Sequence, residues 1–410
     1  MRLSSVVPAS SVPTQPDPQI AQPDLLDIAF RRNIAALTSG RQNPSAVDDQ
    51  RRCGRELDGL ALDPGRPSGV KALNLALMRL VRPTRTVAAV VSAKNEGCFL
   101  LEWVAHCRTV GFEHIFIYTN DNTDGSDALL DALDRTEFVT VIRNDVGSLA
   151  SPQVKAYEHS IHLLRALRNF EWVAYFDVDE FLIPAALYDH SVIETLAAFK
   201  LRHSHQSGSV RGRSPSAICY NWHSYGSGGE IRQRDGLVQE RFTHSIAYPM
   251  FKSLVRLADI ETMALIHMPG PEGLAFVNAA FDPITVGFDC SAAPPDPVHG
   301  RLNHYYQKSF EEFGIKSSRG RGGAPGGLEG KGFDTLFAWD VPNVAANYNP
   351  TPPGLLARLR DELATLLAVP AIAAAAHQAC EAQRALSHRV NGGDVEARFH
   401  EMQEQFHHAA

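Results

Sequence analysis

TVAAVVSAKNEGCFLLEWVAHCRTVGFEHIFIYT, residues 86–119, is the stretch on which the fold turns. Its first eight residues are apolar and β-branched, the pattern of a strand covered on both faces. After them Phe99, Leu100, Trp103, Val104, Cys107 and Val110 recur on one helical face, and Gly111 supplies a stop signal. HIFIYT, residues 114–119, reads as a second strand. The alternation continues outward from there. NDNTDGSD (120–127) is a polar loop in which Ser126 is placed to cap the helix DALLDALD, FVTVI (138–142) is a strand, PQVKAYEHSIHLLRALRN (152–169) a helix and WVAYFD (172–177) a fourth strand. A β-α-β-α-β-α-β series of this length predicts a Rossmann-like α/β fold, with a mostly parallel central sheet flanked by helices. Ligands of such sheets gather at the carboxyl ends of the strands, where Lys94, Asn95, Glu96, Asn120, Asp121 and the acids of 177–180 fall.

The fourth strand raises a chemical question, because EWVAYFDVDEFLIP (171–184) interrupts an apolar run with Asp177, Asp179 and Glu180. In an extended segment Asp177 and Asp179 share a side while Val178 points inward. Two carboxylates together repel unless a cation lies between them. Hard oxygen ligands favour Mn²⁺ or Mg²⁺, which in turn suit the diphosphate of a nucleotide substrate. The competing reading is that these acids cap a turn or form surface ion pairs.

Beyond Pro184 the pattern loosens. SAICYNWHSYG (216–226) and MFKSLVRL (250–257) read as strands, residues 318–332 as a mobile glycine-rich loop, and the Ala- and Leu-rich segment 351–410 as C-terminal helices. At the other end, residues 1–24 have the Pro, Ser and Gln content of a disordered arm, and 25–85 form a helical extension before the main domain, 86–350. That domain divides into halves 86–184 and 185–350, which a resemblance to a known family makes the nucleotide-binding half and the acceptor-side half.

Composition narrows the function. The chain has 410 residues, a net charge of -7 and 44% hydrophobic residues, so it can build a large core and carries no general attraction for nucleic acid. Its six cysteines show no CxxC spacing and read as reduced thiols. No run of about 18 apolar residues and no export signal is seen. A cytoplasmic protein without a transmembrane segment is expected, with peripheral membrane association left open.

Several blocks also resemble a known family. SAKNEGCFLLEWVAHCRTVGFEHIFIYTNDNTDGSDALLDAL, then WVAYFDVDEFLIP, then NHYYQKSFEEFGIKSSRG are similar to the successive signatures of family 2-like glycosyltransferases grouped with glycosyltransferase family 92. NWHSYGSGG, GLVQERFTHS and FKSLVR fit between them, so the resemblance covers about residues 87–321. It implies a GT-A fold and a metal-dependent, inverting transfer of a hexose, with galactose among the sugars used by related enzymes. The donor is a nucleotide-sugar, a UDP-sugar in the first instance, and the acceptor a glycan or lipid-linked glycan. The ED pair and QxxRW motif of family 2 proper are absent, which favours the family 92 side.

Carried onto this sequence, the resemblance makes Asp177 and Asp179 the DxD and His304 the third metal ligand, with His267 as runner-up and His159 and His162 as surface positions. Lys94, Asn95, Glu96, Asn120 and Asp177 are the donor-side residues. Lys316 and Arg319 are cations expected to close over the diphosphate from the glycine-rich loop, with Lys252 as a further candidate. Trp222 and Tyr225 are candidates for stacking on an acceptor sugar. Glu240 is the candidate general base, backed by Glu230 and Asp235. Glu180 is either an orienting residue or a charge on the next turn. Two rival functions are a nucleotidyltransferase, which would carry a Gly-rich basic signature after the first strand, and an inactive nucleotide- or sugar-binding module.

Overall fold

A computed structural model describes residues 51–62, 75–204, 215–270, 274–287, 290–320, 322–324 and 347–409. The arm 1–24, much of the 25–85 extension and most of the glycine-rich loop lie outside the described residues. The strands are β1 (Arg52–Cys53), β2 (Arg85–Ala93), β3 (His114–Thr119), β4 (Val139–Asn144), β5 (Phe170–Tyr175), β6 (Glu180–Pro184), β7 (Ala217–Tyr225), β8 (His244–Arg256), β9 (Thr262–Leu265), β10 (Met268–Gly270), β11 (Phe276–Asn278), β12 (Gly300–His304) and β13 (Asn347–Tyr348). The helices are α1 (Gly59–Leu62), α2 (Gly97–Thr109), α3 (Ser126–Leu133), α4 (Pro152–His162), α5 (Val192–Ser204), α6 (Val238–Arg241), α7 (Phe310–Ser318), α8 (Pro353–Leu367), α9 (Pro370–Val390) and α10 (Val395–Ala409).

One large mixed sheet organises the molecule, in the order β1-β4-β3-β2-β5-β8-β7-β12-β6, with β11 and β13 attached to β7 and β8. From β1 to β5 every neighbour is parallel, as the βα alternation requires, and β8 then joins β5 antiparallel. Beyond β8 the pairings are mixed, with β12 parallel to β7 but antiparallel to β6. This is the α/β architecture expected, a sheet of mostly parallel strands flanked by helices and consistent with a GT-A-like fold. The lead-in segment differs from expectation, since its Arg52–Cys53 forms an edge strand of the sheet.

The buried strand β2 shows why both faces are covered. Val87, Ala89, Val91 and Ala93 enter one core, with Trp103, Leu129 and Leu133 of α2 and α3, while Ala88 and Val90 enter the other, with Tyr157 and Ile161 of α4. Leu355, Leu359, Leu366 and Ile372 of α8 and α9 belong to the first core, so the C-terminal helices complete the domain. No single described helix is long and apolar enough to cross a membrane.

Three local expectations need correction. Ser126 is the first residue of α3, and Asp124 does the bracing instead: its Oδ1 accepts from Ser126 N at 3.0 Å and its Oδ2 from Gly97 N at 2.9 Å, so one carboxylate satisfies the starts of two helices. His159 and His162 are buried, because α4 is sandwiched between the sheet and the β9 segment; His159 Nδ1 pairs with the Tyr118 hydroxyl at 2.8 Å. Tyr225 is fully buried against Tyr305, with its hydroxyl donating to Asn349 O at 2.5 Å, so it is a core residue and no surface for a sugar.

Candidate active site

β5 stops at Tyr175, and residues 176–179 turn the chain into β6. The turn is closed by Glu180 N donating to Asp177 O at 3.0 Å and by Asp177 N donating to Glu180 Oε2 at 2.8 Å. Val178 is buried, as expected, but the two aspartates do not share one side of an extended strand. Each acid has its own cation.

Asp177 faces Lys252, whose Nζ lies 3.1 Å from Asp177 Oδ2 and 3.2 Å from Glu180 Oε2. Lys252 arrives because β8 pairs with β5, and it is only 1% exposed. Burial disfavours its charge, but Asp177 and Glu180 outweigh this and hold it protonated, well above the ordinary lysine range. Gln153 of α4 donates to the other Asp177 oxygen at 2.6 Å. Glu180 acts on the backbone of the turn, and its burial pushes it up to about 8 against the pull of Lys252.

Asp179 faces Lys316 and His304. The Lys316 ammonium donates to Asp179 Oδ2, and His304 Nε2 lies 3.8 Å from Oδ1. Sheet register puts His304 there, since β12 pairs with β6 and sets His304 opposite Glu180. Burial works to raise the Asp179 carboxyl, but Lys316, His304 and Lys308 overcome it and hold the group well below the usual carboxylate range. Burial lowers His304 to about 3, leaving a neutral imidazole at neutral pH, and lowers Lys316 to about 8 despite Asp179. Trp222 lies against His304, ring centroids 4.3 Å apart, and also meets Tyr248 and His267, so it stands at this site and is half-buried.

Lys316 is carried by the last turn of α7 and Arg319 by its C-terminal cap, so neither hangs on a glycine loop as expected. A buried capping box, in which Glu312 accepts from Ser309 N and Oγ, starts this helix, and Arg241 pairs with Glu312 at 2.5 Å. Arg319 closes on the first βα loop: it pairs with Glu96 at 2.5 Å and donates to Lys94 O at 3.0 Å and Asn95 O at 3.3 Å. Asn95 sits at φ 53 and exchanges bonds with the next loop, accepting from Thr123 N at 2.7 Å and donating to Thr123 Oγ1 at 3.1 Å. Asn120 bonds its neighbour Asp121 at 2.9 Å. Glu240 is paired with Arg360, and Glu230 and Asp235 with Arg234 and Arg384.

A narrow cleft, with a cavity volume of only about 10 Å³, opens beside these groups, lined by Asn95, Glu96, Lys308, Lys316, Arg319 and Gln383 among others. Two of its residues escape sequence reading. Lys308 is 4% exposed, held at φ 56 with its ammonium over Phe99; the only signal would be a lysine close behind the histidine block. Gln383 comes from α9, is 2% exposed, and its Oε1 is buried without a hydrogen bond. Nothing local marks it.

Among the described residues no three His, Cys, Asp or Glu side chains converge on one point. The donor set still suits a hard divalent cation: two carboxylates, a neutral imidazole, and a lysine ammonium resting on Asp179 as a stand-in positive charge.

Residues 95–272 match the model of glycosyltransferase family 92. Family 92 proteins also stand among the curated relatives: one from Oryza sativa subsp. japonica is 27% identical over 205 residues, 48% of this chain and 32% of the relative. Another, from Ricinus communis, is 30% identical over 193 residues, 45% of this chain and 32% of the relative. One from Arabidopsis thaliana is 28% identical over 200 residues, with 45% and 33% covered. The matched stretch is thus about a third of each relative's own length. Over this stretch the chain is similar to glycosyltransferase family 92. The family 92 match takes in the acid turn, Trp222 and Lys252, and ends before His304, Lys316, Arg319 and the C-terminal helices.

Proposed function

We propose that this protein is a metal-dependent, inverting glycosyltransferase that moves a hexose from a nucleotide-sugar, in the first instance a UDP-sugar, to a glycan or lipid-linked acceptor. The observation that carries the reading is the acid turn at the carboxyl end of β5, faced by His304 and opening beside a cleft lined with Lys308, Lys316 and Arg319. The family 92 match over residues 95–272 supports the reaction class. Asp177, Asp179 and His304 are the residues that would hold Mn²⁺ or Mg²⁺, and such an ion supplies charge neutralisation for a departing diphosphate.

The chain's own groups have distinct tasks in this reading. Lys316, which rests on Asp179, would turn to the phosphate oxygens of a bound donor, and Lys308 adds a second positive charge from the wall of the cleft. Arg319, tied to Glu96, holds the first βα loop in the shape that meets the nucleoside. Lys252 and Glu180 keep the acid turn rigid, so Asp177 keeps its position as charge moves. Trp222 offers its ring beside His304 to an acceptor or donor sugar. Glu240 remains the proposed base for the acceptor hydroxyl, and this requires its pair with Arg360 to open.

Calorimetric titration of UDP, GDP and CDP into the full chain, each with Mn²⁺ and with EDTA, tests the reading. Metal-dependent binding of one nucleotide, lost in Asp179→Ala, is expected. Absence of binding under every condition would overturn the transferase and leave an inactive module.

A further inference from the structure

Outside the proposed metal and donor residues, two sulfurs stand close together. Cys98 is the second residue of α2 and Cys380 lies in the middle of α9, and their Sγ atoms are 2.8 Å apart across 282 residues of sequence. That is within roughly 0.8 Å of a disulfide bond length and closer than two unbonded sulfurs ordinarily approach. Among the described cysteines these two alone are partly exposed, whereas Cys53, Cys107, Cys219 and Cys290 are buried. A soluble oxidant therefore reaches this pair and not the others. We propose that Cys98 and Cys380 are a reversible dithiol–disulfide pair that latches α9 onto the start of α2, beside the cleft.

The two helices are already pressed together at this point. A side chain at Gly97 would meet Ala379 Cβ at 2.8 Å, and one at Gly125 would meet Ala382 Cβ at 3.5 Å, so small residues let α9 lie against both nucleotide-side loops. Gln383, one turn beyond Cys380, is the residue by which α9 walls the cleft. Fixing Cys380 therefore fixes that wall. Either sulfur can donate in the contact between them, and Arg384 acts on the Cys380 side, where it favours a thiolate.

The oxidant is a low-molecular-weight disulfide. The Cys380 thiolate attacks one of its sulfurs, forms a mixed disulfide and expels one small thiolate. Cys98 then gives its proton to solvent, attacks the Cys380 sulfur and expels the second small thiolate. The protein dithiol loses two electrons and the small disulfide gains them.

The test does not depend on the glycosyltransferase reading. Full-length protein, reduced and then equilibrated with oxidised glutathione, is quenched in acid, alkylated and mapped by mass spectrometry without reduction. One linked peptide pair joining Cys98 to Cys380 is expected, reversed by dithiothreitol and absent in Cys380→Ser. In the linked form, amide exchange across residues 376–387 should slow by about tenfold, as local opening of α9 is suppressed. The proposal is overturned if both thiols stay alkylatable, if they are recovered only as separate glutathione adducts, or if the linked form exchanges at the reduced protein's rate.

Discussion

Replacing Lys252 by methionine isolates what one buried cation does for the acid turn. The substitution keeps the apolar stem and volume and removes only the charge. In the native protein that charge stands 3.1 Å from Asp177 and 3.2 Å from Glu180, with Lys252 1% exposed. At an effective dielectric near 20, the Asp177 contact is worth about 5 kcal/mol before desolvation, while Glu180, pushed up to about 8, adds a full ion pair only above that pH. Burying the ammonium and Glu180 costs several kcal/mol, so the net loss on removing the lysine is about 4 kcal/mol, within the range for a buried pair broken on one side. Asp177, Asp179 and Glu180 are then left close together with less positive charge among them. At roughly 2 °C per kcal/mol for a chain of this size, Lys252→Met should melt about 8 °C below wild type in EDTA. Scanning calorimetry checks this, and circular dichroism at low temperature establishes that the variant is folded. If the acids bind a divalent cation, Mn²⁺ should recover part of the loss and raise the variant's melting point by more than it raises wild type. A melting point in EDTA within about 2 °C of wild type would refute the reasoning, because it would mean that Lys252 does not neutralise the turn.

Three further outcomes follow from the same geometry. Glu312→Gln should weaken the Arg241 pair and the cap of α7, lowering stability by about 3 kcal/mol in urea titrations; an equal loss in an Arg241→Met background would show that the two groups are not coupled. Glu102, fully buried and raised from 4.5 to about 7 by that burial, binds its proton more tightly folded than unfolded. Its contribution to stability should therefore be full below pH 4.5 and fall by about 3 kcal/mol as pH rises through about 7, a slope that Glu102→Gln should remove; parallel urea profiles for the two proteins across pH 4.5–8 would count against it. Gly97→Val should force α9 off the start of α2 and lower stability by about 2 kcal/mol, measured by thermal melting, while Gly125→Ala at a looser contact but at φ 78 should cost about 1 kcal/mol; a harmless Gly97→Val would mean the helices are not in contact.

The half from residue 86 to 184 was legible because its signals are local. Strand β2 must be apolar on both faces to lie under two helical layers, and its sequence says so. The placement of Asp177 and Asp179 at a strand end was readable for the same reason. Their orientation was not, since a turn closed by Glu180 replaced the extended alternation that would have paired them. Tyr225 and the helix-borne histidines were misjudged because burial depends on what packs over a residue, and the covering segments come from residues 262–263, 305 and 349.

By itself, then, the sequence determined the βα alternation, the parallel half-sheet it requires, and the position of an acid cluster at a carboxyl end, all of which follow from periodicity and short-range sterics. Only the tertiary structure decided which cation answers which acid. Lys252 reaches Asp177 through the β5–β8 pairing, His304 reaches Asp179 through the β6–β12 register, and Lys316 through the seating of α7. The contribution of Gln383 and the meeting of Cys98 with Cys380 were decided there too, since both arise from close packing of helices hundreds of residues apart. Such contacts depend on shape complementarity between distant surfaces, and no local pattern of residues encodes it.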